Sequence, residues 1–225
     1  MIKGIKKKIH IIHNIYIKHR YLSKKKSYSM DGEDLFLKDY FKDKKKGFYV
    51  DVGCYHPIHR NNTFLLYKTG WSGINIDIHK FSIDLFNYLR PKDLNFNFAV
   101  SNKNEKIDMY FQKELSQLST IEANQAKKVF QGNIMTSKID SYTLDEILKK
   151  TMIDNIKIDL LDIDVEGADL KVLEGFSIDK FMPELICVEI HDKEIKKSKI
   201  YEYLNKSKYQ LIWSGVFSHI FKSKA

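Results

Sequence analysis

The sequence predicts an α/β fold: a three-layer sandwich whose mostly parallel sheet lies between helices, with an antiparallel hairpin closing one edge. Three observations carry this expectation. Strand-length apolar runs alternate with helix-length segments along most of the 225 residues, the pattern of a parallel sheet covered on both faces. A glycine, Gly53, follows the first apolar run, and an acid, Asp77, ends the second. Residues 158–175 run from an apolar strand into three carboxylates, Asp162, Asp164 and Glu166, then break at Gly167 and enter a helix. Open α/β sheets place their ligands where a strand's C-terminal end opens into a helix.

Each element has its own local reason. Ile2, Ile5, Ile9, Ile12 and Tyr16 fall on one side of a helical wheel, with the lysines mostly elsewhere, which predicts an amphipathic helix. Residues 24–29 read as a joint. A short helix is expected over Asp34–Phe41 and a strand over Phe48–Val52. A helix over Asn62–Lys68 ends near Gly70, and a second strand spans Gly73–Ile78. Ser82–Arg90 is helical and stops before Pro91, as proline beyond a helix end requires. Leu94–Val100 reads as one strand and Ile107–Phe111 as an edge strand. Residues 112–134 lack a period and read as a long loop holding one helical piece, Ala123–Phe130. Thr143 and Glu146 have capping-box spacing and open a helix to Lys150. After the acidic strand and its helix come a strand over Glu184–Ile190, a helix over Ser198–Lys206, and two strands, Tyr209–Trp213 and Val216–Phe221. Ser214-Gly215 supplies the hairpin turn.

Charge is unevenly spread. Of the 38 Lys and Arg, nine lie in residues 1–26, which hold no acid, and the other 29 balance the 29 Asp and Glu of the rest. The division expected is a basic amphipathic N-terminal extension, 1–26, and a domain, 27–225. A neutral body argues against a broad nucleic-acid face, whereas the extension favours an anionic surface, a membrane leaflet or an acidic partner. A solvated tail with no specific role is the plainer reading. No stretch is long and apolar enough to span a bilayer, and the N-terminus lacks a signal peptide's cleavage site. Two cysteines, Cys54 and Cys187, cannot build a disulfide framework, so a reducing cytoplasm is expected, with peripheral attachment at the membrane's inner face through the tail.

The acids at the end of the 158–166 strand have period two. If the extension holds to its end they share one face, about 7 Å apart, and repel. Such a set calls for a cation: a metal, a positively charged cofactor or a basic substrate. Strand, glycine, helix, strand, acid is also a nucleoside-binding layout, since Asp77 can accept hydrogen bonds from ribose hydroxyls. Asp77 as a helix N-cap is the duller alternative. No glycine lies between Gly53 and Gly70, so the dinucleotide fingerprint is absent and a pyrophosphate cradle is unsupported. A nucleoside without phosphates remains, and S-adenosylmethionine adds a positive sulfonium. Glu189 and His191 end the next strand, so Asp164, Glu189 and His191 form a candidate divalent-metal set. His56, His191 and Asp164 are candidate catalytic bases, and a metal that lowers a hydroxyl's pKa is the other route.

Residues 27–221 resemble the FkbM-type S-adenosylmethionine-dependent methyltransferases. The matching pieces include Phe48–Gly53, Asn62-Thr63, Gly70–Gly73 leading to Asp77, Ala99–Ser101, Leu118–Thr120, Thr143–Asp145, Ile163–Ala168, and Pro183 with Val188-Glu189. Tyr55-His56-Pro57 with Asn62-Thr63 is similar to the branch found among bacterial surface-polysaccharide enzymes. The resemblance implies a class I methyltransferase (Rossmann-like) fold and methyl transfer to a hydroxyl oxygen. By that pattern Gly53, with its neighbours Asp51 and Tyr55 and with Asp164, approaches the methionine part of the cofactor. Asp77 holds the ribose, Ala99 and Val100 line the adenine, and Glu33 nears the site from the N-terminal side. Asp162, Met30 and Asp31 depart from the family pattern. A sugar or nucleotide-sugar acceptor is the expectation. Another small acceptor, such as an amide, a phosphate-linked group or a polyketide hydroxyl, and a non-catalytic membrane-associated binding module stand as alternatives.

Overall fold

The computed structural model describes residues 2–113, 115–151 and 157–224. Helix α1 (Ile2–Ile12) runs on through widened π turns over His13–Lys18, followed by α2 (Glu33–Tyr40), β1 (Phe48–Val52), α3 (Phe64–Lys68), β2 (Ser72–Ile76) and α4 (Lys80–Leu89). Then come β3 (Leu94–Phe96), β4 (Ala99–Val100), β5 (Glu105–Phe111), α5 (Ala123–Val129), β6 (Met135–Tyr142) and α6 (Leu144–Lys150). The chain continues as β7 (Leu160–Ile163), α7 (Asp169–Glu174), α8 (Ile178–Phe181), β8 (Leu185–Glu189), α9 (Lys199–Lys206), β9 (Tyr209–Ser214) and β10 (Ser218–Ser223).

The main sheet has seven strands in the order β3-β2-β1-β7-β8-β10-β9. The first five are parallel, and β10 pairs antiparallel with both β8 and β9. Strand alternation sorts the two faces. Val50, Val52, Leu161 and Ile163 face α6, α7 and α9 through Leu148, Val172 and Leu204. Tyr49, Leu160, Leu185 and Ile220 face α2 and α3 through Leu37, Phe41 and Leu66. The three layers are therefore those expected, and the order reverses between β1 and β7, which opens a crevice at their C-terminal ends.

Three details correct the sequence reading. Leu94–Val100 is two strands, because the Asn97 side-chain amide donates to the carbonyls of Asp77 and Ile78, both at 2.9 Å, and turns the chain out of the main sheet. The second piece joins a separate three-stranded sheet, β4-β6-β5. Its middle strand, β6, has no period-two signal because both its faces are largely exposed, and Lys138–Asp108 and Lys106–Asp140 pairs decorate it. The Thr143 cap is half a box. Its hydroxyl accepts from Glu146 N at 3.2 Å, but its own N–H goes to Asn104 Oδ1 at 2.8 Å rather than to Glu146.

Helix α1 turns Ile11 and Ile15 toward the body, where they pack among Phe64, Leu65 and Leu85. Ile5, Ile9 and Ile12 point outward, while the side chains of Ile2 and Lys3 lie outside the described residues. Asp34, fully buried, fastens the joint by accepting from Ser27 Oγ, Tyr28 N and Ser29 Oγ at 2.6–2.8 Å.

Candidate functional site

The crevice at the sheet's C-terminal edge is built around Gly53. Its N–H and that of Cys54 both donate to Ile76 O, at 2.9 and 3.1 Å. Its φ is +85°, and a Cβ there would come within 1.8 Å of Asp164 O, so only glycine lets β1 and β7 end this close together. Tyr55, also at positive φ (51°), turns its N–H onto Asp77 Oδ2 at 2.8 Å, while Asp77 Oδ1 accepts from His79 N at 2.6 Å. The acid is therefore both a loop brace and an acceptor with lone pairs to spare, and burial raises its pKa to about 6.

A cavity opens on these residues, lined by Gly53, Tyr55, Asp77, Ala99, Val100 and Asp164, all expected there, and also by Ile78, His79, Phe98, Gln117, Ser119 and Thr120. One end is polar at Asp77. The Phe98–Val100 side is apolar and flat enough for a ring. The far wall is the 116–121 segment, tied down by His79 Nε2 to Ser119 Oγ at 2.6 Å and by Thr120 Oγ1 donating to Glu166 O at 2.8 Å. The lining, polar at Asp77 and apolar at Phe98–Val100, suits a nucleoside with a short extension toward Asp164.

A second cavity of about 290 Å³ meets the first at Asp164 and Gln117. It is lined by Glu33, Arg60, Asn62, Glu166, Glu189 and His191, with Met30, Val129 and Phe217 on its apolar side. The extension of β7 stops at Ile163. Asp164 N still donates to Val52 O at 2.9 Å, but Glu166 and Gly167 both turn to positive φ, 53° and 92°. The three acids therefore do not form one row, as expected of an unbroken strand. Asp162 faces α2 beside Asp51, its register partner on β1, and accepts from Asn62 Nδ2 at 3.1 Å. Asp164 opens into both cavities. Glu166 swings toward Glu189 and His191.

In this cleft His191 Nε2 lies 2.8 Å from Glu189 Oε2. That hydrogen bond holds the imidazole's pKa above its ordinary value against the opposing effect of burial. Glu166 is pushed up to about 8 by burial and then by Glu189, and Asp169 to about 7 by the same two causes. Asp164, exposed to the cleft on its outer side, is raised above its ordinary value by desolvation of its inner side, with Glu189 and Glu166 next. Donor atoms of Glu166, Glu189 and His191 lie within 4.8 Å of one another. Among the described residues the three donors that converge are thus Glu166, Glu189 and His191, not the expected set with Asp164.

Three expected site residues lie elsewhere. Asp51 points away from both cavities, accepting from Asn61 Nδ2 and Thr63 Oγ1 at 3.1 and 2.8 Å, because it shares the parity of Tyr49 on β1. His56 is fully buried, and its Nδ1 accepts from Ile58 N and His59 N, both at 3.1 Å. Burial and the nearby His19 drive its pKa well down, so it shapes the loop after Gly53 and is no base for a bound acceptor. Glu33 lines the second cavity, not the first, where it accepts from Asp31 N at 2.8 Å. Burial pushes the Cys54 thiol well up, in keeping with a packing role.

The raised carboxyls have a measurable consequence. A carboxyl whose pKa is raised by folding contributes stability below its unfolded value and loses it as pH rises through the folded one. Glu166 and Asp162 at about 8 and Asp169 at about 7 therefore lose stabilisation progressively from about pH 4 upward, and the share lost in the window between about pH 6.5 and 8 is measured free of the depressed histidines. His191, raised, acts in the same direction. The depressed His19 and His56 act on the acid side of this window. The ligand-free Tm in metal-free buffer is expected to fall by roughly 5 °C or more across it, measured by calorimetry. A flat or rising Tm would mean that these carboxyls are not held in a desolvated cluster.

Comparison with known proteins follows the same lines. A family model of the methyltransferase FkbM domain matches residues 51–211. The crystal structure of a methyltransferase FkbM from Methylobacillus flagellatus KT aligns with a TM-score of 0.53 at 13% identity, over 79% of this chain and 44% of that one. At that identity the likeness speaks for the fold, and this chain spans under half the length of that protein. No curated protein matches.

Proposed function

Because the chain belongs to the FkbM methyltransferase family, we propose that it methylates a sugar hydroxyl with S-adenosylmethionine, in assembly of a bacterial capsule, lipopolysaccharide or other glycoconjugate. The observation that carries this reading is the pair of cavities that meet at Asp164 and Gln117. One has the lining for a nucleoside. The other alternates carboxylates with amide and guanidinium donors beside an aromatic ring, which suits a hydroxyl-rich acceptor.

When bound, the cofactor supplies an electrophilic methyl carbon on a positive sulfonium. The protein's part is to hold and to deprotonate. Asp77 accepts from the ribose, and Phe98, Ala99 and Val100 pack the base. Asp164, at the junction, would face the positive end, whose charge favours the ionised form of a carboxyl otherwise held protonated by its surroundings. His191, its Nε2 paired with Glu189 Oε2 at 2.8 Å, would have Nδ1 free to take the proton of the acceptor's hydroxyl. Glu166 and Asn62 orient the sugar, and the 116–121 segment keeps water from the junction.

Asp77→Ala is expected to weaken S-adenosylmethionine binding roughly ten- to a hundredfold, read by isothermal calorimetry. Asp77→Asn, which keeps the shape, separates a lost charge from a relaxed loop. Absence of binding by the unmodified protein, or undiminished binding by both variants, would defeat the cofactor assignment. The acceptor class is tested by incubating the enzyme and cofactor with nucleotide-sugar pools and looking for a methyl gain by mass spectrometry. Turnover confined to non-sugar acceptors would remove the sugar.

A further inference from the structure

Helix α1 has two working faces. Its inner face is fixed to the body. Lys7 Nζ reaches Asp84 Oδ2 at 2.6 Å, the His10 ring stacks on Phe81 at 4.3 Å, and Ile11 and Ile15 are buried. These contacts set the roll of the helix, so what it turns outward is not arbitrary. Outward lie Ile5, Ile9 and Ile12, spaced four and three residues apart, with 56%, 61% and 43% of their surfaces exposed. Lys6 and Lys8, both exposed, fall on either side of this ridge on the helical wheel. Past the π turns Ile17 and Leu22 are 64% and 80% exposed, among exposed Lys18, Arg20, Lys24 and Lys25. Residues 1–26 contain no acid, and the neighbouring Asp84 is occupied by Lys7 and Lys80.

We propose that this outer face of α1 is an in-plane membrane anchor that seats the protein on an anionic bilayer. The surface is a convex ridge, not a groove. A protein partner would need a complementary channel, whereas lipid deforms around a ridge and takes its apolar side chains into the headgroup–acyl boundary. Lysines flanking such a ridge extend their stems along it and place their ammonium groups at the phosphates, and each basic group near an anionic leaflet adds to binding. Exposed isoleucines with only water to meet cost free energy that immersion recovers. Among the described residues no helix is long and apolar enough to cross a membrane, so the attachment is in-plane. The inference is independent of the methyl-transfer reading.

The test uses the full chain and vesicles of phosphatidylcholine alone or with one-third phosphatidylglycerol, read by co-sedimentation. Binding is expected on the anionic vesicles and to fall with added salt. Ile9→Ser/Ile12→Ser and Lys6→Gln/Lys8→Gln should each weaken it roughly tenfold or more. All four positions are exposed, so the variants should melt like the parent, and that melt is measured alongside. Three results would overturn the proposal: no sedimentation with anionic vesicles, equal binding to neutral ones, or unchanged binding by both variants. Binding to a polyglutamate peptide without binding to vesicles would also overturn it, in favour of an acidic protein partner.

Discussion

Arg90→Met is expected to lower the free energy of unfolding by about 3–5 kcal/mol. Arg90 is fully buried. One guanidinium nitrogen donates to Pro57 O and Asn61 Oδ1 at 2.6 and 2.7 Å, and the other to Thr63 Oγ1 and Tyr49 OH at 2.8 and 3.3 Å. The plane lies over Phe86 and Tyr67 at 4.9 and 5.1 Å. Asn61 and Thr63 in turn hydrogen-bond Asp51, whose pKa burial raises to about 6 although Arg90 pulls it down. Methionine fills much of the volume but removes the donor to four buried oxygens, Pro57 O, Asn61 Oδ1, Thr63 Oγ1 and Tyr49 OH, and takes the cation from beside Asp51. Lysine cannot fork to both sides and should recover little. Since Pro57, Asn61 and Thr63 belong to the loop between Gly53 and α3, cofactor affinity should fall with stability. Urea denaturation measures the first effect. A loss below about 1 kcal/mol would mean that the loop is held by something other than this guanidinium.

The second large effect is chemical. His191→Ala is expected to cut kcat/KM about 10²–10⁴-fold while leaving S-adenosylmethionine affinity within experimental error. The base form is the neutral imidazole, and Glu189 raises the pH needed to reach it. The ascending limb of kcat/KM against pH should therefore lie above the ordinary histidine value. Glu189→Gln removes the principal cause of the raised pKa and should move that limb toward acid while also lowering its plateau. An alanine variant with the parent's pH limb would assign the proton to another group, with Glu166 next in reach.

The parallel layers were legible in the sequence because strand and helix punctuation are local: Gly53, Gly70 and Pro91 each close an element where expected. The capping residue Thr143 was legible for the same reason. Strand β6 was not, since a ribbon exposed on both faces carries no alternation to read, and the break at Asn97 depends on a side chain meeting carbonyls twenty residues earlier in the chain. Much of the first cavity's lining was visible, as Gly53, Tyr55, Asp77, Ala99, Val100 and Asp164 lie at or just past strand ends. His79, Phe98 and Gln117 were hidden because loops bring them in. His56 and Asp51 misled for one reason: proximity to Gly53 in sequence says nothing about which way a side chain points once the chain turns. Arg90 bore no signal beyond ending a helix.

The wall shared by the two cavities limits how such an enzyme can diversify. A substitution in residues 116–121 that admits a bulkier acceptor also alters the nucleoside's wall, because Gln117 borders both spaces. Met30, Val129 and Phe217 border the second space alone. Descendants that acquire new acceptors while keeping the methyl donor should therefore vary on that far rim and hold the partition between the rooms nearly constant.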